Sequence, residues 1–288
     1  MRDAIKLMRI PFSVYLMPVF WFALSVAPDY SVTKAIAVFL IIHGLVYPAS
    51  NGYNCYFDRD ESSIGGLKHP PKVTKSLFWL VALFDALAIL GALFVSVPFA
   101  AFIAVYLLVS KAYSYDKIRL KKYPFWSTLV VIIFQGAFTF IMVQLGSGVD
   151  KEVITSPTNL IFAGVSSLFL CGSYPLTQVY QHAEDARRGD KTISMLLGLE
   201  GTFLFSGISL LVGTGLLLLA YLNTRQEINI LIFLVCTAPI VFFFSRWFWK
   251  VRQNKAEANF DNTMRMNKIS SLSISLAFVL MIIFSVYS

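Results

Sequence analysis

The sequence predicts an all-α fold, a polytopic membrane bundle of about nine transmembrane helices. Three observations predict it. The chain of 288 residues is 57% hydrophobic and only 14% charged, whereas a soluble domain usually carries about 25% charged residues. Its apolar residues form stretches of roughly 20, the length that crosses a bilayer. Its basic residues collect in alternate loops between those stretches.

Nine apolar stretches are long enough to span the membrane. The break between the third and the fourth rests on Val97-Pro98, a turn signal within a nearly continuous apolar run. The first stretch follows basic residues as a signal peptide does, but it is long, carries Pro18 and precedes many similar stretches, so we expect no cleavage. The nine stretches are Phe12–Ala27, Thr33–Phe57, Leu77–Val97, Pro98–Tyr115, Phe125–Leu145, Thr158–Gln181, Thr202–Leu222, Ile228–Trp249 and Ser270–Tyr287.

The basic residues orient the bundle. With a cytoplasmic N-terminus and nine spans, only Lys34, Lys151 and Arg225 of the 24 lysines and arginines fall in outside loops. Positive charge is retained inside, so we expect an integral membrane protein, in the inner membrane if the cell is bacterial, with its C-terminus outside. This bias explains the net charge of +8 without nucleic acid as a partner. We expect one transmembrane domain over residues 1–288, with its active face toward the cytoplasmic side.

Two of the inside loops begin with matching polar helix ends. The second span ends in Asn54 and Asp58, and the sixth ends in Gln181 and Asp185. In each pair an amide lies four residues before a carboxylate, about one helical turn or roughly 6 Å away. Because polar groups are costly in lipid, these stripes should face the bundle interior or a wet cavity.

The oxygens of these helix ends predict a Mg²⁺ site, because Mg²⁺ prefers hard oxygen ligands and keeps water or phosphate in its shell. Asp58 and Asp185 are the expected essential catalytic carboxylates. Glu61 is preferred to Asp60 as a further ligand, because on a continuing helix Asp60 points about 200° away from Asp58. The alternative is that these are solvated loop charges that balance one another. The expected metal ligands are Asn54, Asp58, Glu61, Gln181, Glu184 and Asp185.

Basic side chains crowd the same loops. Carboxylates, a metal ion and cations together can hold a diphosphate and stabilise it as a leaving group. The alternative for Arg187, Arg188 and Lys191 is binding to the headgroups of anionic membrane lipids. The candidate substrate-binding residues are Lys68, Lys72, Arg119, Arg187, Arg188, Lys191 and His182.

Residues 54–60 (NCYFDRD) resemble the first aspartate-rich motif of the intramembrane aromatic prenyltransferase (UbiA-type) superfamily, usually Asn-Asp-x-x-Asp-x-x-x-Asp. Residues 181–192 (QHAEDARRGDKT) resemble the second, usually Asp-x-x-x-Asp followed by Gly and Thr. The resemblance covers nearly the whole chain. It implies a central cavity, Mg²⁺ held by both motifs, and an isoprenyl diphosphate whose chain lies in an apolar tunnel. It also implies prenyl transfer to a small lipophilic acceptor, often an aromatic ring.

Three positions depart from the family pattern, each by the loss of an expected Asp: Cys55 and Ser62 in the first motif and Gln181 in the second. A terpene cyclase, in which an internal alkene captures the carbocation, is therefore an alternative to transfer. A polar acceptor pocket favours transfer, and a closed apolar cavity favours cyclisation. A non-catalytic lipid-binding or transport protein is a further alternative, but such proteins place their polar groups near the midplane, and here they collect at one face.

Asp85 lies in the middle of the third span. An ionisable group at that depth is a functional hypothesis by default, and a base that removes a proton from the acceptor or a carbocation is one role for Asp85. The alternative is a carboxyl that is kept protonated or paired with a neighbouring Ser, Tyr or His. His43 is a candidate partner, although a lone intramembrane histidine is more often a hydrogen-bonded core residue.

Overall fold

The computed structural model describes residues 1–287 of the chain. Within them, nine helices are long and apolar enough to cross a membrane, and the only extended pairing is a single bridge between Ile64 and Leu67. The predicted all-α membrane fold is confirmed. The nine helices are α1 Arg2–Ser25, α2 Val32–Asp58, α3 Lys75–Val95, α4 Val97–Ser114, α5 Pro124–Ser147, α6 Pro157–Gln178, α7 Ile193–Asn223, α8 Glu227–Gln253 and α9 Phe260–Ser285.

Several helices extend beyond the apolar stretches that predict them. α1 and α9 both begin ten residues before the predicted start, because polar turns continue the helix past the apolar part. α7 begins nine residues early, with a largely apolar segment that precedes a kink at Gly198. The break between α3 and α4 lies where Pro98 predicts it. Ser96 has extended backbone there, and its hydroxyl accepts a hydrogen bond from the Phe99 amide as the N-cap of α4.

Several of the described spans depart from a regular α-helix, including α6, which ends in a 3₁₀ segment at Pro175–Gln178, and α7, which is kinked at Gly198. α1 contains a 3₁₀ segment, Ile10–Leu16, which begins after Arg9 in a left-handed conformation. α2 and α5 contain π-helical turns at Ile42–Val46 and Ile133–Phe138. Such turns are frequent at functional sites. In α5 the turn includes Gly136, where an added Cβ would lie 2.6 Å from the Ser167 Cα of α6, so only glycine allows the two helices to approach this closely.

The helices pack around a central space rather than a continuous core. α1 lies against α5 and α9, α6 lies against α5 and α7, and α8 lies against α9. The largest buried apolar cluster fills the half of the bundle that is remote from the ends of α2 and α6, and it includes Phe22, Phe99, Phe140, Tyr221 and Phe278. The other half contains the cavities described below, and the polar helix ends border them.

Candidate active site

Two adjoining cavities lie inside the bundle. A small polar cavity of about 130 Å³ lies at the ends of α2 and α6. A large, mostly apolar cavity of about 740 Å³ extends from it between the helices. The two cavities share seven lining residues, so the polar cavity opens directly onto the apolar one. The shared residues are Arg9, Asn54, Gly65, Tyr113, Tyr174, Thr177 and Gln181.

The end of α2 brings a first group of carboxylates to the polar cavity. α2 stops at Asp58 because Arg59 takes a left-handed conformation, with φ of 50°. The chain therefore turns, so that Asp60 lines the cavity while Glu61 is exposed to solvent. The sequence expectation that Glu61 is better placed than Asp60 assumed a continuing helix, and the structure places the two residues the other way round.

A short helix after α6 supplies the second group of carboxylates. It runs over His182–Arg188 and ends at Gly189, which has a φ of 73° that favours glycine. Asp185 and Asp190 both line the polar cavity, and the amide of Asp190 donates to the Asp185 carbonyl at 3.0 Å. The turn at Gly189 thus returns the chain to the cavity one residue later.

Two cations lie between the carboxylates of the two loops. The Lys121 Nζ is 2.5 Å from Asp58 Oδ2 and 3.6 Å from Asp190 Oδ2. The Arg119 guanidinium donates two hydrogen bonds to the Asp190 carboxylate, at 3.0 and 2.9 Å, and also lies 3.6 Å from Asp58 Oδ1. The bidentate geometry is the strong form of an arginine–carboxylate pair. Arg119 and Lys121 therefore hold the two buried carboxylates together.

Arg188 is the third cation of the site. Its Nε lies 3.3 Å from Asp60 Oδ1, and its Nη1 lies 3.8 Å from Asp58 Oδ1. It also approaches Glu184 at 3.6 Å, and Arg187 forms a close ion pair with the same carboxylate. Glu184 is buried but does not line the polar cavity. It orients Arg188 rather than facing the cavity itself.

Negative charge is crowded in the polar cavity. Burial raises the pKa of Asp185, Lys121 opposes the rise, and Asp190, Asp60 and Asp58 add to it, so that the net pKa is about 7. Burial and then Asp58 raise the pKa of Asp60, against Arg188 and Lys121. Carboxylates with raised pKa values hold their negative charge at a cost, so a further cation in this cavity would stabilise them.

The donor set of the polar cavity fits Mg²⁺. Carboxylate oxygens and the amide oxygens of Asn54 and Gln181 line it, and these are hard ligands. Asp58 Oδ1 is buried and accepts no hydrogen bond, and its nearest cations, Arg119 and Arg188, lie 3.6 and 3.8 Å away, so the oxygen keeps the capacity to bind a ligand. Among residues 1–287, no three His, Cys, Asp or Glu side chains already converge on one point, because Arg119, Lys121 and Arg188 occupy the space between the carboxylates.

A comparison with protein-family models matches the UbiA prenyltransferase family over residues 15–269. The chain belongs to this family. The UbiA family model covers both motif regions, all of α2 to α8, and parts of α1 and α9. A search of curated proteins gives no match.

Solved structures of UbiA proteins share the fold. A UbiA homologue from Archaeoglobus fulgidus, bound to DMAPP and Mg²⁺, has a TM-score of 0.67 and 15% identity, over 97% of this chain and 99% of that one. An apo UbiA homologue from Aeropyrum pernix K1 has a TM-score of 0.70 and 17% identity, over 94% of this chain and 98% of that one. A digeranylgeranylglyceryl phosphate synthase has a TM-score of 0.61 and 15% identity, over 100% of this chain and 99% of that one.

The UbiA fold brings some of the sequence-predicted residues together and leaves others apart. Asn54, Asp58, Gln181 and Asp185 line the polar cavity, and Arg119 and Arg188 are paired with its carboxylates. The remaining basic candidates lie elsewhere. Lys68 pairs with the exposed Asp261, the Lys72 and Lys191 side chains are exposed, and Arg187 is exposed beside Glu184.

His182 and Asp85 also lie away from both cavities of this UbiA protein. The His182 Nε2 is 2.8 Å from the Ser194 hydroxyl, and burial lowers the pKa of its imidazole. Asp85 forms an ion pair with Lys111 of α4 at 2.9 Å. His43 instead contacts the Ser13 carbonyl at 3.2 Å. The hypothesis that His43 is the partner of Asp85 is therefore not supported.

Three cavity residues escaped the sequence reasoning. Lys121 follows α4 in a run of basic residues, and nothing in that run distinguishes it from Lys122. Asp190 carries a weak signal, because it follows the glycine that ends the second motif. Arg9 lies more than 40 residues from its partners in sequence, yet its guanidinium donates to the Asn51 side chain and to the Gly65 carbonyl, both at 3.0 Å.

Proposed function

We propose that this UbiA family member transfers an isoprenyl group from an isoprenyl diphosphate to an acceptor within the membrane, with Mg²⁺ as its cofactor. The observation that carries the proposal is the junction of the two cavities. A polar cavity lined by carboxylates opens at Asn54 and Gln181 onto a large apolar one. An isoprenyl diphosphate has a charged head that a polar cavity would hold and a hydrocarbon tail that an apolar cavity would hold. The solved homologues bound to DMAPP or GPP with Mg²⁺ support it.

The polar cavity would hold the diphosphate. Asp58 and Asp185, with the neutral oxygens of Asn54 and Gln181, are the residues that would bind Mg²⁺. Mg²⁺ supplies positive charge that stabilises the diphosphate as it leaves. Arg119 and Lys121 neutralise Asp58 and Asp190. If Asp58 and Asp185 held the metal, Arg119 and Lys121 would be able to bind the diphosphate oxygens.

The apolar cavity supports transfer to an acceptor rather than internal cyclisation. Two of its lining residues carry buried polar atoms with no partner, the Ser50 hydroxyl and the Asn51 amide nitrogen. A buried polar atom without a partner is costly, and a hydroxyl or carbonyl of an acceptor would satisfy both. Gln135 adds a further amide to the same cavity. These residues do not form the wholly apolar wall that would favour a terpene cyclase.

We further infer that the polar cavity faces the cytoplasm. The loops beside it carry nearly all the lysines and arginines, while the opposite loops contain only Lys34, Lys151 and Arg225. Basic residues are retained on the cytoplasmic side. Water-soluble diphosphate substrates would then reach the polar cavity from the cytoplasm, and lipophilic groups would occupy the membrane-embedded cavity.

The direct test uses the purified protein in lipid nanodiscs. The protein is incubated with Mg²⁺, a series of isoprenyl diphosphates and a panel of phenols and aromatic acids, and diphosphate release and prenylated products are measured. We expect release that depends on both Mg²⁺ and an acceptor. Release with hydrocarbon products in the absence of any acceptor would indicate a cyclase instead. No release under any condition would contradict the proposed function.

A further inference from the structure

The end of the bundle that carries the polar cavity also presents an apolar surface. α5 begins there at Pro124, and the buried Ser127 and Thr128 hydroxyls both donate to the Pro124 carbonyl. The opposite face of this first turn carries Phe125 and Trp126, which are 68% and 56% exposed and meet edge to face. Two large apolar rings therefore point outward at the start of α5.

The first turn of α7 adds exposed aliphatic side chains beside these rings. Gly198, with a φ of 68°, kinks α7 and separates this turn from the rest of the helix. Ser194 anchors the inner face of the turn, because its amide donates to the Gln178 side chain at 3.2 Å. Leu196 and Leu197 are exposed on the outer face. Since α7 contacts the first half of α5, the two exposed surfaces adjoin each other.

We call this surface the interfacial patch: Tyr123, Phe125, Trp126, Leu196 and Leu197, all exposed. None of the five side chains lines either cavity. Exposed apolar side chains are favourable in a bilayer, and aromatic ones collect where the hydrocarbon meets the headgroups. The interfacial patch therefore lies at the bilayer surface, on the side of the polar cavity.

Two lysines adjoin the interfacial patch, and we call them the lysine pair. Lys122 directly precedes Tyr123, and Lys191 lies in the loop before α7. The Lys191 amide donates to the Lys122 carbonyl at 3.4 Å, so the two flexible side chains start from adjacent backbone. Both are exposed, and within residues 1–287 neither ammonium group has an acidic partner. Two positive charges that no carboxylate neutralises thus lie beside an apolar surface.

The lysine pair is placed for a lipid phosphate rather than for the diphosphate of a substrate. Neither lysine lines the polar cavity, whereas their chain neighbours Lys121 and Asp190 do. An anionic phospholipid combines a phosphate, which the lysine pair would bind, with acyl chains, which the interfacial patch would contact. Anionic headgroups attract basic residues at the membrane surface. A diphosphate in water has no such use for the exposed rings.

We propose that the lysine pair and the interfacial patch form a binding site for one anionic phospholipid. This inference goes beyond the proposed function and does not depend on it. The two ammonium groups repel each other, and the backbone hydrogen bond between their loops is long, at 3.4 Å. A phosphate between them removes the repulsion. It thereby fastens the loop of Lys121 to the loop of Asp190, two residues that form an ion pair at the polar cavity.

The test measures lipid binding directly. The purified protein in detergent is titrated with dioleoyl phosphatidylglycerol or dioleoyl phosphatidylcholine, and native mass spectrometry gives the fraction that retains each lipid. Lys122→Gln/Lys191→Gln removes both charges, and Lys122→Arg/Lys191→Arg keeps them. Lys6→Gln/Lys255→Gln is the matched control. Both of these lysines are exposed and have no acidic partner within residues 1–287, but they belong to α1 and to the loop before α9.

We expect the wild-type protein, the arginine variant and the control to bind phosphatidylglycerol about tenfold more tightly than phosphatidylcholine. Lys122→Gln/Lys191→Gln should lose this preference and still bind phosphatidylcholine as the wild-type protein does, which shows that it is folded. Equal affinity of the wild-type protein for the two lipids would overturn the lipid site, and so would an unchanged preference in the glutamine variant. Competition by an equal concentration of glycerol phosphate, which has the charge without the chains, would replace it with a general anion site.

Hydrogen exchange tests the link to the polar cavity. The Lys191 amide, which donates to the Lys122 carbonyl, should exchange about threefold more slowly in nanodiscs of phosphatidylglycerol than in nanodiscs of phosphatidylcholine. Lys122→Gln/Lys191→Gln should show no such difference. The same exchange rate in both lipids for the wild-type protein would overturn the fastening of the two loops. Neither measurement uses a substrate, so a protein without prenyl transfer would contradict the proposed function and leave the lipid site standing.

Discussion

The buried carboxylates of Asp58 and Asp190 are held by the same two cations. The Lys121 Nζ lies 2.5 Å from Asp58 and 3.6 Å from Asp190. The Arg119 guanidinium lies 3.6 Å from Asp58 and 2.9 Å from Asp190. The two acids come from loops separated by more than 100 residues. The pairing therefore fixes the first motif against the second before any ligand binds, and each part of it can be tested separately.

Removal of charge from the proposed metal ligands should abolish turnover. Asp58→Asn and Asp185→Asn keep the shape of the side chain, but an amide supplies no charge to Mg²⁺. We expect a loss of about 100-fold or more in kcat on an isoprenyl diphosphate, with the protein still folded in detergent. Asp261→Asn is the control, because Asp261 lies at the same face and only pairs with the exposed Lys68. Full Mg²⁺-dependent activity in either site variant would show that its carboxylate is not required.

Asp190 should act by positioning Arg119. Asp190→Asn removes the bidentate pair and leaves Arg119 able to turn toward Asp116, which lies 3.3 Å away. We expect KM for the diphosphate to rise about tenfold with a smaller change in kcat. Asp190→Glu should recover part of the loss. A fall in kcat at constant KM would instead place Asp190 among the groups that act in the transition state.

The pair of Asp85 and Lys111 should stabilise the bundle without taking part in the reaction. Both side chains lie outside the two cavities, at the contact of α3 with α4. Asp85→Asn leaves Lys111 unpaired and should lower the free energy of unfolding by about 2 kcal/mol, less than for a fully buried pair. The double variant Asp85→Asn/Lys111→Met should restore most of the lost free energy of unfolding. Thermal unfolding in detergent measures both effects.

Activity decides between the two roles of Asp85. We expect turnover per folded molecule to be unchanged in Asp85→Asn and in the double variant. A folded double variant without activity would support the hypothesis that Asp85 is a base. Leu83→Asn, which places an amide two residues away on the lipid-exposed side of α3, controls for the polarity of the new side chain.

The metal-free protein should lose stability as the pH rises from about 4 to about 7. The pKa of Asp185 is raised from 3.8 in the unfolded chain to about 7 by burial and by Asp190, Asp60 and Asp58. Within this window the folded state binds more protons than the unfolded state, so the free energy of unfolding falls with pH. Asp185→Asn should flatten that dependence. The check is thermal unfolding in EDTA at several pH values. If stability depended on pH equally in the wild-type protein and in Asp185→Asn, the prediction would be contradicted.

The orientation can be tested by chemical labelling. Asp150 is exposed in the loop between α5 and α6, on the side opposite the polar cavity. After replacement of Cys55, Cys171 and Cys236 by serine, Asp150→Cys should react with an impermeant thiol reagent added from outside the cell. A cysteine at Lys72 should react only after permeabilisation. The reverse pattern would place the polar cavity on the outer side.

The fold was predictable because it depends on length and apolarity, which a single sequence shows directly. The start of α9 was missed by ten residues, because its first turns are polar and a helix in water has no apolar signature. The site was only partly predictable. Asn54, Asp58, Gln181 and Asp185 follow from spacing, but Lys121 acts through contacts with two remote loops, and spacing along one segment cannot reveal these.

Asp60, and not Glu61 as the sequence suggested, lines the cavity, and the cause is local. Periodicity places Glu61 on the same helical face as Asp58 only while the helix continues. Arg59 interrupts it with a left-handed conformation, which a non-glycine residue adopts seldom. No pattern of polar and apolar residues signals such a turn. A prediction for side chains just past a helix end therefore needs the cap residue to be known.

Four phenylalanines that line the deep end of the large cavity, Phe22, Phe169, Phe233 and Phe278, also affect what can leak across the bilayer. A wet polar cavity that opened at both ends would give protons and small ions a path through the protein. The stacked rings of Phe22 and Phe278, with Phe233 beside them, interrupt any such column of water at its deep end. A cell can thus keep many copies of this protein in an energised membrane without dissipating its ion gradients.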